Sequence, residues 1–335
     1  MGGSPTGVTE ATQARWHHRA MRFLPTTTAL LLALLAGAAG AFDLQGHRGA
    51  RGLEPENTLP AFARALDLGV STLELDVGVT GDGVLVVSHD PTLNPAITRD
   101  ASGRWLAERG PRLSTLTFAQ LQAYDVGRID PETPYARTFA QQQPRDGARI
   151  PSLAQVFALV AERGAPVRFN IETKLSPRQP DATVSVEAMT DALLQAVTEA
   201  GLADRVTIQS FDWRSLQRVQ QRAPHIATAY LTSGNVKDPA WTAGLRLEDH
   251  GSVPRLVKAA GGATWAPGMG TLSEALVKEA QALGLRVVPW TVNEPADMER
   301  LVDWGVDGLI TDYPDRLRAV LQRRGMPLPA PAPAR

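Results

Sequence analysis

Hydrophobic residues along most of the chain follow one repeated pattern, in which a helical spacing is followed by a glycine and a short β-rich run. Apolar residues within 59–66 have helical spacing, Gly69 ends that helix, and residues 71–79 read as a strand. The pattern recurs near the C-terminus, where helices end at Gly284 and Gly305 and strands follow. This alternation predicts βα units around a parallel sheet.

Sequence signals also mark where several helices begin. Ser152 and Gln155 have the spacing of a capping box, in which each side chain bonds the other residue's backbone N–H. Asn293 followed by Pro295 predicts a helix with Asn293 as its N-cap, because proline is favoured in a first turn. Both signals support the alternation of helices and strands.

The β-rich runs number nine. They are 42–47, 72–79, 84–88, 167–172, 206–210, 227–231, 263–266, 287–291 and 308–311. The second and third runs are too close for a parallel crossover, which needs about a dozen residues, so they form an antiparallel hairpin. The other eight predict a closed (β/α)8 TIM barrel, with an open doubly wound sheet as the alternative.

Residues 91–149 interrupt this rhythm. They are rich in Arg, Pro, Gln and Gly and contain no clear strand. We interpret them as an insertion that follows the hairpin and caps one end of the barrel. Its aromatic residues either pack the insertion onto the barrel, which is the favoured interpretation, or line a substrate entrance. They are Trp105, Phe118, Tyr124 and Tyr135.

Composition excludes several kinds of function. The 335 residues include 34 Lys and Arg against 35 Asp and Glu, and this net charge of -1 gives no electrostatic preference for nucleic acid or an anionic membrane. The chain has no cysteine, which excludes disulfides, thiolate metal sites, iron–sulfur clusters and thiol nucleophiles. We therefore expect no nucleic-acid partner. Any chemistry must depend on side chains other than cysteine.

The first 41 residues have the three-part layout of a secretory signal peptide. Basic residues precede an apolar run at 29–35, and Ala39-Gly40-Ala41 resembles a cleavage site. The run is short for a membrane span, so export to the periplasm with cleavage after Ala41 is favoured over an uncleaved anchor. Met21 is an alternative start, because the residues before it resemble no targeting element.

The mature chain is expected to form one barrel domain, residues 42–325, followed by a Pro/Ala-rich tail, residues 326–335. We expect this tail to be extended and unpacked, because proline-rich segments adopt extended conformations. No stable membrane insertion of the mature chain is expected. The oligomeric state is left open.

Polar side chains alternate with apolar ones on two of the predicted strands. On the second strand Glu74 and Asp76 share one face, and on the fourth Glu172 and Lys174 do the same. In a barrel the apolar faces pack outward on helices, so the polar faces line the interior. These side chains then converge at the carboxyl ends of the strands, where barrel enzymes have their active sites.

Three carboxylates in a confined space repel one another and lose their hydration. A bound divalent cation removes both problems, and oxygen ligands without cysteine favour Ca²⁺ or Mg²⁺ over zinc. We therefore predict that Glu74, Asp76 and Glu172 are metal ligands. The alternative is a buried salt-bridge network. Its basic members would be Arg48, Arg168 and Lys174.

Two histidines approach the same end of the barrel. His47 follows the first predicted strand, and His89 ends the returning strand of the hairpin. A four-residue turn would pair Val79 with Val84. That register brings His89 opposite Glu74, and a one-residue slip would change it. Two imidazoles beside an acidic metal cluster suit general acid–base chemistry on a phosphoryl group.

Several motifs, taken in order, resemble one known family. The N-terminal motifs are His47-Arg48-Gly49-Ala50, Pro55-Glu56-Asn57-Thr58, Glu74-Leu75-Asp76-Val77 and Val86-Val87-Ser88-His89-Asp90. The later motifs are Asn170-Ile171-Glu172-Thr173-Lys174, Gln209-Ser210-Phe211, Trp290-Thr291-Val292-Asn293 and Asp307-Gly308-Leu309-Ile310-Thr311-Asp312-Tyr313-Pro314. Together they span nearly all of residues 42–320 and resemble the signature of the glycerophosphodiester phosphodiesterases.

The resemblance implies a (β/α)8 barrel with an insertion after the hairpin, as the strand count suggests independently. It implies that the three acids bind Ca²⁺ or Mg²⁺ and that His47 and His89 form the catalytic pair. It also implies substrate binding by Arg48, Lys174 and Trp290. Before the first helix, Asn57 or Thr58 is expected to cap that helix, and for Asn57 this structural role is favoured over a functional one. Glu56 is a candidate supporting residue. The long insertion matches no family motif.

The implied reaction is metal-assisted hydrolysis of a small-molecule glycerophosphodiester to an alcohol and sn-glycerol 3-phosphate. One histidine would deprotonate the nucleophile and the other would protonate the leaving alkoxide, in an order that the sequence leaves open. The alternatives are a phospholipase D-like enzyme acting on intact phospholipids or sphingolipids and a non-catalytic protein that binds a phosphate ligand. The head group and the physiological metal are also left open.

Overall fold

A computed structural model describes residues 1–2 and 41–333 of the chain. The predicted signal peptide lies almost entirely outside these described residues. Within them, no helix combines the length and the apolar character that crossing a membrane requires.

Nine strands of the described chain form one sheet. They are β1 Asp43–Gly46, β2 Thr72–Val79, β3 Leu85–Val87, β4 Arg168–Thr173, β5 Val206–Ser210, β6 Ala227–Thr232, β7 Thr264–Pro267, β8 Arg286–Val287 and β9 Gly308–Thr311. Their order is β8-β7-β6-β5-β4-β2-β1-β9, with β3 paired only to β2. Every pairing is parallel except the antiparallel β2–β3 hairpin.

Backbone hydrogen bonds bring the two ends of this sheet together. Asp307 N–H donates to the carbonyl of Val287 at 2.9 Å, and Ile310 N–H donates to the carbonyl of Pro289 at 2.9 Å. These bonds join β9 to the segment that starts at β8. The eight parallel strands therefore form a nearly closed ring, and the predicted (β/α)8 barrel is confirmed.

The described chain contains eleven α-helices. They are α1 Leu59–Leu68, α2 Phe118–Leu121, α3 Pro134–Thr138, α4 Leu153–Glu162, α5 Val186–Glu199, α6 Trp213–Arg222, α7 Leu247–His250, α8 Val253–Ala259, α9 Glu274–Ala282, α10 Pro295–Asp303 and α11 Pro314–Arg323. Eight of them pack buried apolar residues against the outward faces of the strands, namely α1, α4, α5, α6, α8, α9, α10 and α11.

The helix-start signals give mixed results. Ser152 and Gln155 form the predicted capping box at the start of α4. Thr58 is the N-cap residue of α1, and its hydroxyl accepts the N–H of Ala61, so the helix is capped by Thr58 and not by Asn57. Likewise Glu294, and not Asn293, is the N-cap residue of α10. Both asparagine side chains have other partners in the site described below.

The hairpin between β2 and β3 has a different register from the predicted one. Val79 pairs with Leu85, and Thr80 N–H donates to the carbonyl of Val84 at 3.0 Å, so the turn contains three residues instead of four. Gly83 adopts a φ of 83°, the left-handed conformation that completes a three-residue hairpin turn and favours glycine. The predicted register is therefore wrong by one residue, and the ladder does not place His89 opposite Glu74.

The insertion forms a second, small core together with the β3 strand. Its buried members are Val86, Leu93, Leu113, Leu121, Val126 and Ile150. Phe118 and Tyr124 pack against this core, and the guanidinium of Arg99 lies 5.5 Å from the ring centre of Trp105. Three of the four aromatic side chains therefore stabilise the insertion, whereas Tyr135 extends towards the site.

The segment after α11 packs on the barrel, which contradicts the expected unpacked tail. Ala332 N–H donates to the carbonyl of Leu66 at 2.9 Å, and the Arg318 guanidinium donates to the carbonyl of Pro329 at 2.7 Å. Leu328 packs against the main core. A proline-rich segment with few donors of its own can be held by donors from the helices beside it, and this packing extends to residue 333.

Candidate active site

Three carboxylates meet at the carboxyl end of the barrel. β2 carries Glu74 and Asp76, and β4 carries Glu172, which is the register partner of Asp76. All three side chains are buried, and one oxygen from each lies within 4.8 Å of the others. The strand alternation predicted from the sequence therefore brings the three acids together.

The close approach of these acids changes their titration. Burial raises the pKa of Glu74 well above its usual range, and the neighbouring carboxylate of Asp76 raises it further. Burial also raises the pKa of Glu172, although the charge of Lys174 opposes this effect. For Asp76 burial acts in the same direction, but the charges of Arg48 and Lys174 outweigh it and hold the pKa of Asp76 well below its usual range.

Basic residues balance only part of this negative charge. Lys174 Nζ donates to Glu172 at 2.6 Å and lies 3.6 Å from Asp76, while Arg48 lies between Asp76 and Glu56. With every acid ionised, four carboxylates face two cations, which leaves an excess of two negative charges. A salt-bridge network alone therefore does not neutralise the cluster.

The third basic residue of that alternative network lies elsewhere. Arg168 pairs with Asp43 at 2.9 Å and bonds Thr72, and these three residues are the first residues of β4, β1 and β2. Arg168 therefore lies at the opposite end of the barrel from the three acids.

The donor set fits a divalent cation. Asp76 Oδ1 is buried and has no hydrogen-bond partner, although its other oxygen accepts bonds. An orphaned carboxylate oxygen, two further acids within reach and an excess of two negative charges are what a hard divalent ion requires. The cluster of Glu74, Asp76 and Glu172 could thus bind a divalent metal.

The loop after β1 supports this cluster from one side. Arg48 has a φ of 49°, and its backbone N–H donates to Glu74 at 2.9 Å. Gly49 follows with a φ of 86°, and a Cβ there would lie 2.6 Å from the backbone carbon of Ala61 on α1. This loop conformation aims the guanidinium of Arg48 at Asp76, with 3.2 Å between Nε and Oδ2.

Glu56 and Asn57 form a second layer behind this loop. Glu56 accepts a hydrogen bond from Arg48 Nη1 at 2.7 Å and another from the hydroxyl of Tyr135. Asn57, with a φ of 56°, donates from Nδ2 to Asp76 at 2.9 Å. The expectation that Asn57 caps α1 is wrong because its amide is used to orient a predicted metal ligand.

His47 is held by a buried carboxylate that the sequence analysis did not assign. Its Nδ1 lies 2.7 Å from Asp312 Oδ1, and its Nε2 lies 3.8 Å from Glu74. Burial lowers the pKa of His47 to about 4, assisted by the charge of Arg51 and opposed by Asp312. The imidazole is therefore neutral at pH 7, with Asp312 accepting the Nδ1–H and Nε2 free to accept a proton.

Asp312 follows β9 directly and has two further partners. Arg51 donates to both of its oxygens, at 2.7 and 3.0 Å, and Asn293 Nδ2 donates at 2.7 Å. Burial by itself would raise the pKa of Asp312, but the hydrogen bond from His47 and the charge and hydrogen bonds of Arg51 hold that pKa well below its usual range. Asn293 also accepts the backbone N–H of Asp312, which explains why its side chain does not cap α10.

His89 lines the same cavity as His47 and is more accessible. Its side chain is 35% exposed, and its Nδ1 lies 2.8 Å from Asp90 Oδ1. Asp90 is oriented by Asn94 Nδ2 at 2.9 Å. Although the hairpin register differs from the predicted one, the chain beyond β3 still brings His89 to the acidic cluster.

A row of amides supports the cluster from inside the barrel. Asn170 Nδ2 donates to Gln45 at 2.8 Å and to Gln209 at 2.9 Å, and Gln209 Nε2 donates to Glu74 at 2.8 Å. These buried bonds fix the rotamer of Glu74.

The side chains surround a chamber of about 130 Å³ at the centre of the barrel mouth. Seven of the eight predicted site residues line it, and Asp76 lies directly behind. Phe211 and Trp290 form one wall, with ring centres 5.3 Å apart and their planes nearly perpendicular. The indole N–H of Trp290 donates to the carbonyl of Ala266 at 2.9 Å, which leaves the ring as an apolar surface.

Several further residues of the site were not assigned a role from sequence, and four of them show why. Asp312 was the most accessible to prediction, because an acid directly after a barrel strand points to the same end as Glu172. Gln209 lies in the Gln209-Ser210-Phe211 motif, but its hydrogen bond to Glu74 depends on strand register. Arg51 and Tyr135 gave no local signal, since each acts through contacts between distant segments.

Comparisons with known proteins agree on one family. The family described as "Glycerophosphoryl diester phosphodiesterase family" matches residues 47–316. A glycerophosphodiester phosphodiesterase of Caldanaerobacter subterraneus subsp. tengcongensis is 32% identical over 279 residues, covering 83% of this chain and 97% of that protein. One from Bacillus subtilis is 32% identical over 281 residues, covering 82% and 84%.

Solved structures show the same fold. A structure from Silicibacter pomeroyi DSS-3 superposes with a TM-score of 0.78 at 38% identity and covers 85% of this chain and 95% of its own. An Oleispira antarctica phosphodiesterase, solved with the product sn-glycerol-3-phosphate, gives a TM-score of 0.63 at 22% identity, covering 83% and 96%.

Proposed function

Because the chain belongs to the glycerophosphoryl diester phosphodiesterase family and hydrolyses glycerophosphodiesters, we propose that this reaction takes place in the chamber at the barrel mouth. The family match confirms the resemblance seen in the sequence. The observation that carries the proposal is geometric: three buried carboxylates within 4.8 Å of one another lie between two imidazoles. The products are an alcohol and sn-glycerol 3-phosphate.

Glu74, Asp76 and Glu172 are proposed to hold one divalent ion, Ca²⁺ or Mg²⁺. Their oxygen donors suit a hard cation, and the described part of the chain offers no sulfur ligand at this site. When bound, the ion supplies positive charge against the phosphoryl oxygens. Asp76 Oδ1 supports this assignment because it is buried and has no hydrogen-bond partner. The amides of Asn57 and Gln209 support it because they hold carboxylate oxygens of Asp76 and Glu74 in fixed positions.

Arg48 and Lys174 are proposed to bind the phosphate. Both side chains line the chamber, and both are fixed by carboxylates that limit their motion. Fixed cations stabilise the charge that develops on phosphoryl oxygens without reorganising during the reaction. Trp290, with Phe211, is proposed to pack against the glycerol backbone of the substrate, because these rings provide the apolar wall.

His47 is proposed as the general base and His89 as the general acid. His47 is buried and neutral, and Asp312 holds its Nδ1–H, so Nε2 accepts the proton of the attacking hydroxyl. His89 is partly exposed and is oriented by Asp90, so it can protonate the leaving alkoxide and regain a proton from solvent. The nucleophile is water or the glycerol 2-hydroxyl, and the same histidine would deprotonate either one. Attack by the 2-hydroxyl would release the alcohol and leave a cyclic phosphate, which water would then open to sn-glycerol 3-phosphate.

The mature chain is proposed to act in the periplasm after removal of residues 1–41. Cleavage after Ala41 would leave the barrel complete, because β1 begins at Asp43. Terminal sequencing of the protein from a periplasmic fraction should find Phe42 as its first residue. A protein retained in the cytoplasm with an intact N-terminus would contradict this proposal.

Release of glycerol 3-phosphate from glycerophosphodiesters tests the metal assignment. Chelation should abolish release, and re-addition of Ca²⁺ or Mg²⁺ should restore it more fully than Zn²⁺. The variant Asp76→Asn, which removes one ligand charge, should remain inactive after re-addition. Full activity of chelated wild-type protein, or a metal-restored Asp76→Asn variant, would contradict the assignment.

A further inference from the structure

His89 borders a second cavity beside the chamber. This cavity lies between the loops that follow β4, β5 and β6, and its volume is about 290 Å³, more than twice that of the chamber. We refer to it as the outer pocket. Four residues line both spaces, namely His89, Glu172, Lys174 and Phe211. The two spaces therefore adjoin at the proposed general acid.

The position of a general acid determines where the leaving alcohol departs. His89 must come within hydrogen-bond reach of the leaving oxygen in order to protonate it. In phosphoryl transfer the attacking and leaving oxygens lie roughly in line, so the leaving oxygen is on the side of the phosphorus away from the nucleophile at His47. The substituent on that oxygen must then extend past His89.

The outer pocket has the space that this substituent needs. In the proposed function the chamber, with a volume of about 130 Å³, is already filled by the phosphate and the glycerol. Another cavity beside His89, next to Asn57 and Thr98, has a volume of about 30 Å³, which is room for about two water molecules. Of these three spaces, the outer pocket is the one that can take a bulky alcohol.

The outer pocket offers packing surface and little free charge. Its acid and its lysine, Glu172 and Lys174, are bonded to each other at 2.6 Å. Its apolar lining residues are Pro91, Leu175, Ala182, Phe211 and Trp241. An alcohol bound there is therefore held mainly by contact area, whether it is neutral or cationic.

Bonds between the surrounding loops keep the walls of the outer pocket in place. Arg178 Nε donates to Asp238 at 2.7 Å, which joins the loop after β4 to the loop after β6. The carbonyl of Trp241 accepts the backbone N–H of Trp213 at 2.9 Å, at the start of α6. The pocket is therefore formed before a substrate binds, as is usual for small-molecule sites.

We propose that the outer pocket is the subsite for the second alcohol of the substrate, and that Ala182 and Trp241 set the size of alcohol it accepts. Trp241 provides a flat surface for packing, and the small side chain of Ala182 leaves the space beside it open. This inference rests on the proposed function. The substrate class it names is glycerophosphodiesters with a bulky second alcohol, such as inositol or choline.

Steady-state kinetics with three glycerophosphodiesters test the proposal. Their second alcohols are methanol, inositol and choline, so they share the glycerol phosphate and differ in what enters the outer pocket. Ala182→Trp should lower kcat/KM by about tenfold or more for both bulky substrates and by less than about twofold for the methyl ester. Trp241→Ala should lower kcat/KM for the bulky substrates about fivefold, again with little change for the methyl ester.

Two controls accompany these measurements. Ala158→Trp adds the same bulk at an exposed position of α4, outside the outer pocket, and should alter none of the values. The inhibition constant of sn-glycerol 3-phosphate should stay within about twofold of the wild-type value in both pocket variants, because this product lacks the second alcohol.

The other outcomes each contradict a defined claim. A variant that leaves the bulky substrates unchanged removes its residue from the proposal, and if both variants do so, the second alcohol extends into solvent and the inference is overturned. Equal slowing of all three substrates with a raised inhibition constant would show that the outer pocket binds the glycerol. Equal slowing with an unchanged constant would show general damage to the site, and the size claim would fail.

Failure of the proposed function would look different. In that case the metal-supplied wild-type enzyme would hydrolyse none of the three diesters, and the inference would fail with it.

Discussion

At the scale of single residues, Asp312 has the most complete set of polar partners in the site. It contacts His47, Arg51 and Asn293, and all three contacts are direct hydrogen bonds. A buried carboxylate with this many donors stays ionised and fixes the tautomer of the imidazole it faces. Asp312 is therefore a positioning residue for the proposed general base.

Replacing Asp312 by Asn should separate this role from substrate binding. The amide can donate to Nδ1 and stabilise the wrong tautomer of His47, so kcat should fall by about 10²-fold or more. KM should change by less than about threefold, because Asp312 does not line the chamber. A thermal melt controls for folding, and a kcat within about threefold of the wild-type value would contradict the role of Asp312.

Removal of either imidazole should affect turnover and not binding. His47→Ala and His89→Ala should each lower kcat by about 10²- to 10⁴-fold, because each removes one proton-transfer group. The double variant should be little slower than the slower single variant if the two act as one unit. Near-wild-type turnover in either single variant would remove that histidine from the mechanism.

At the scale of elements, the strands were predictable and their exact pairing was not. Strand positions follow from the alternation of apolar and polar side chains, as in Leu73, Glu74 and Leu75. In a barrel strand the apolar face packs on helices and the other face lines the interior. The hairpin register depends on whether Thr80 belongs to the turn, and a left-handed glycine at position 83 decides this in three dimensions. Sequence spacing alone did not distinguish the two turns.

Asparagine and tyrosine roles were also beyond sequence reasoning. Asn57 and Asn293 both precede helices, where the local rule favours capping. Their amides instead bond Asp76 and Asp312, which are close only in the folded barrel. Tyr135 belongs to an insertion with no matching motif, so its contact with Glu56 required the structure.

The insertion is expected to contribute to activity through Tyr135. Its hydroxyl donates to Glu56, which in turn holds Arg48 beside Asp76. Tyr135→Phe should lower kcat/KM about threefold to tenfold, the effect of one hydrogen bond in a buried network. Tyr124→Phe is the matched control, since that ring packs in the insertion core, and equal activity of the two variants would contradict the contact's role.

At the scale of the whole molecule, the C-terminal segment that stabilises the barrel lies apart from the residues of the site. The carboxyl end carries the acids and imidazoles, whereas the C-terminal segment after α11 packs against α1 and α11. Apolar residues Met326, Leu328 and Ala332 pack against the main core there. This segment therefore stabilises the fold without contacting the chamber.

Truncation after Gly325 should test that separation. The loss of apolar packing and of the hydrogen bonds at Ala332 and Pro329 should lower the free energy of unfolding by about 2 kcal/mol. The midpoint of thermal unfolding should fall, while kcat at a temperature well below it stays within about twofold. An unchanged melting temperature would show that the packed segment contributes nothing to stability.

The central claim is that three buried acids between two imidazoles bind one divalent ion. Calorimetric titration of Ca²⁺ and of Mg²⁺ into chelator-treated protein tests this most directly. The account predicts one site per chain for at least one of these ions in the wild-type protein. It predicts no binding in a Glu172→Gln variant that retains a cooperative thermal transition. No heat of binding in the wild type, or unchanged affinity in Glu172→Gln, would contradict it.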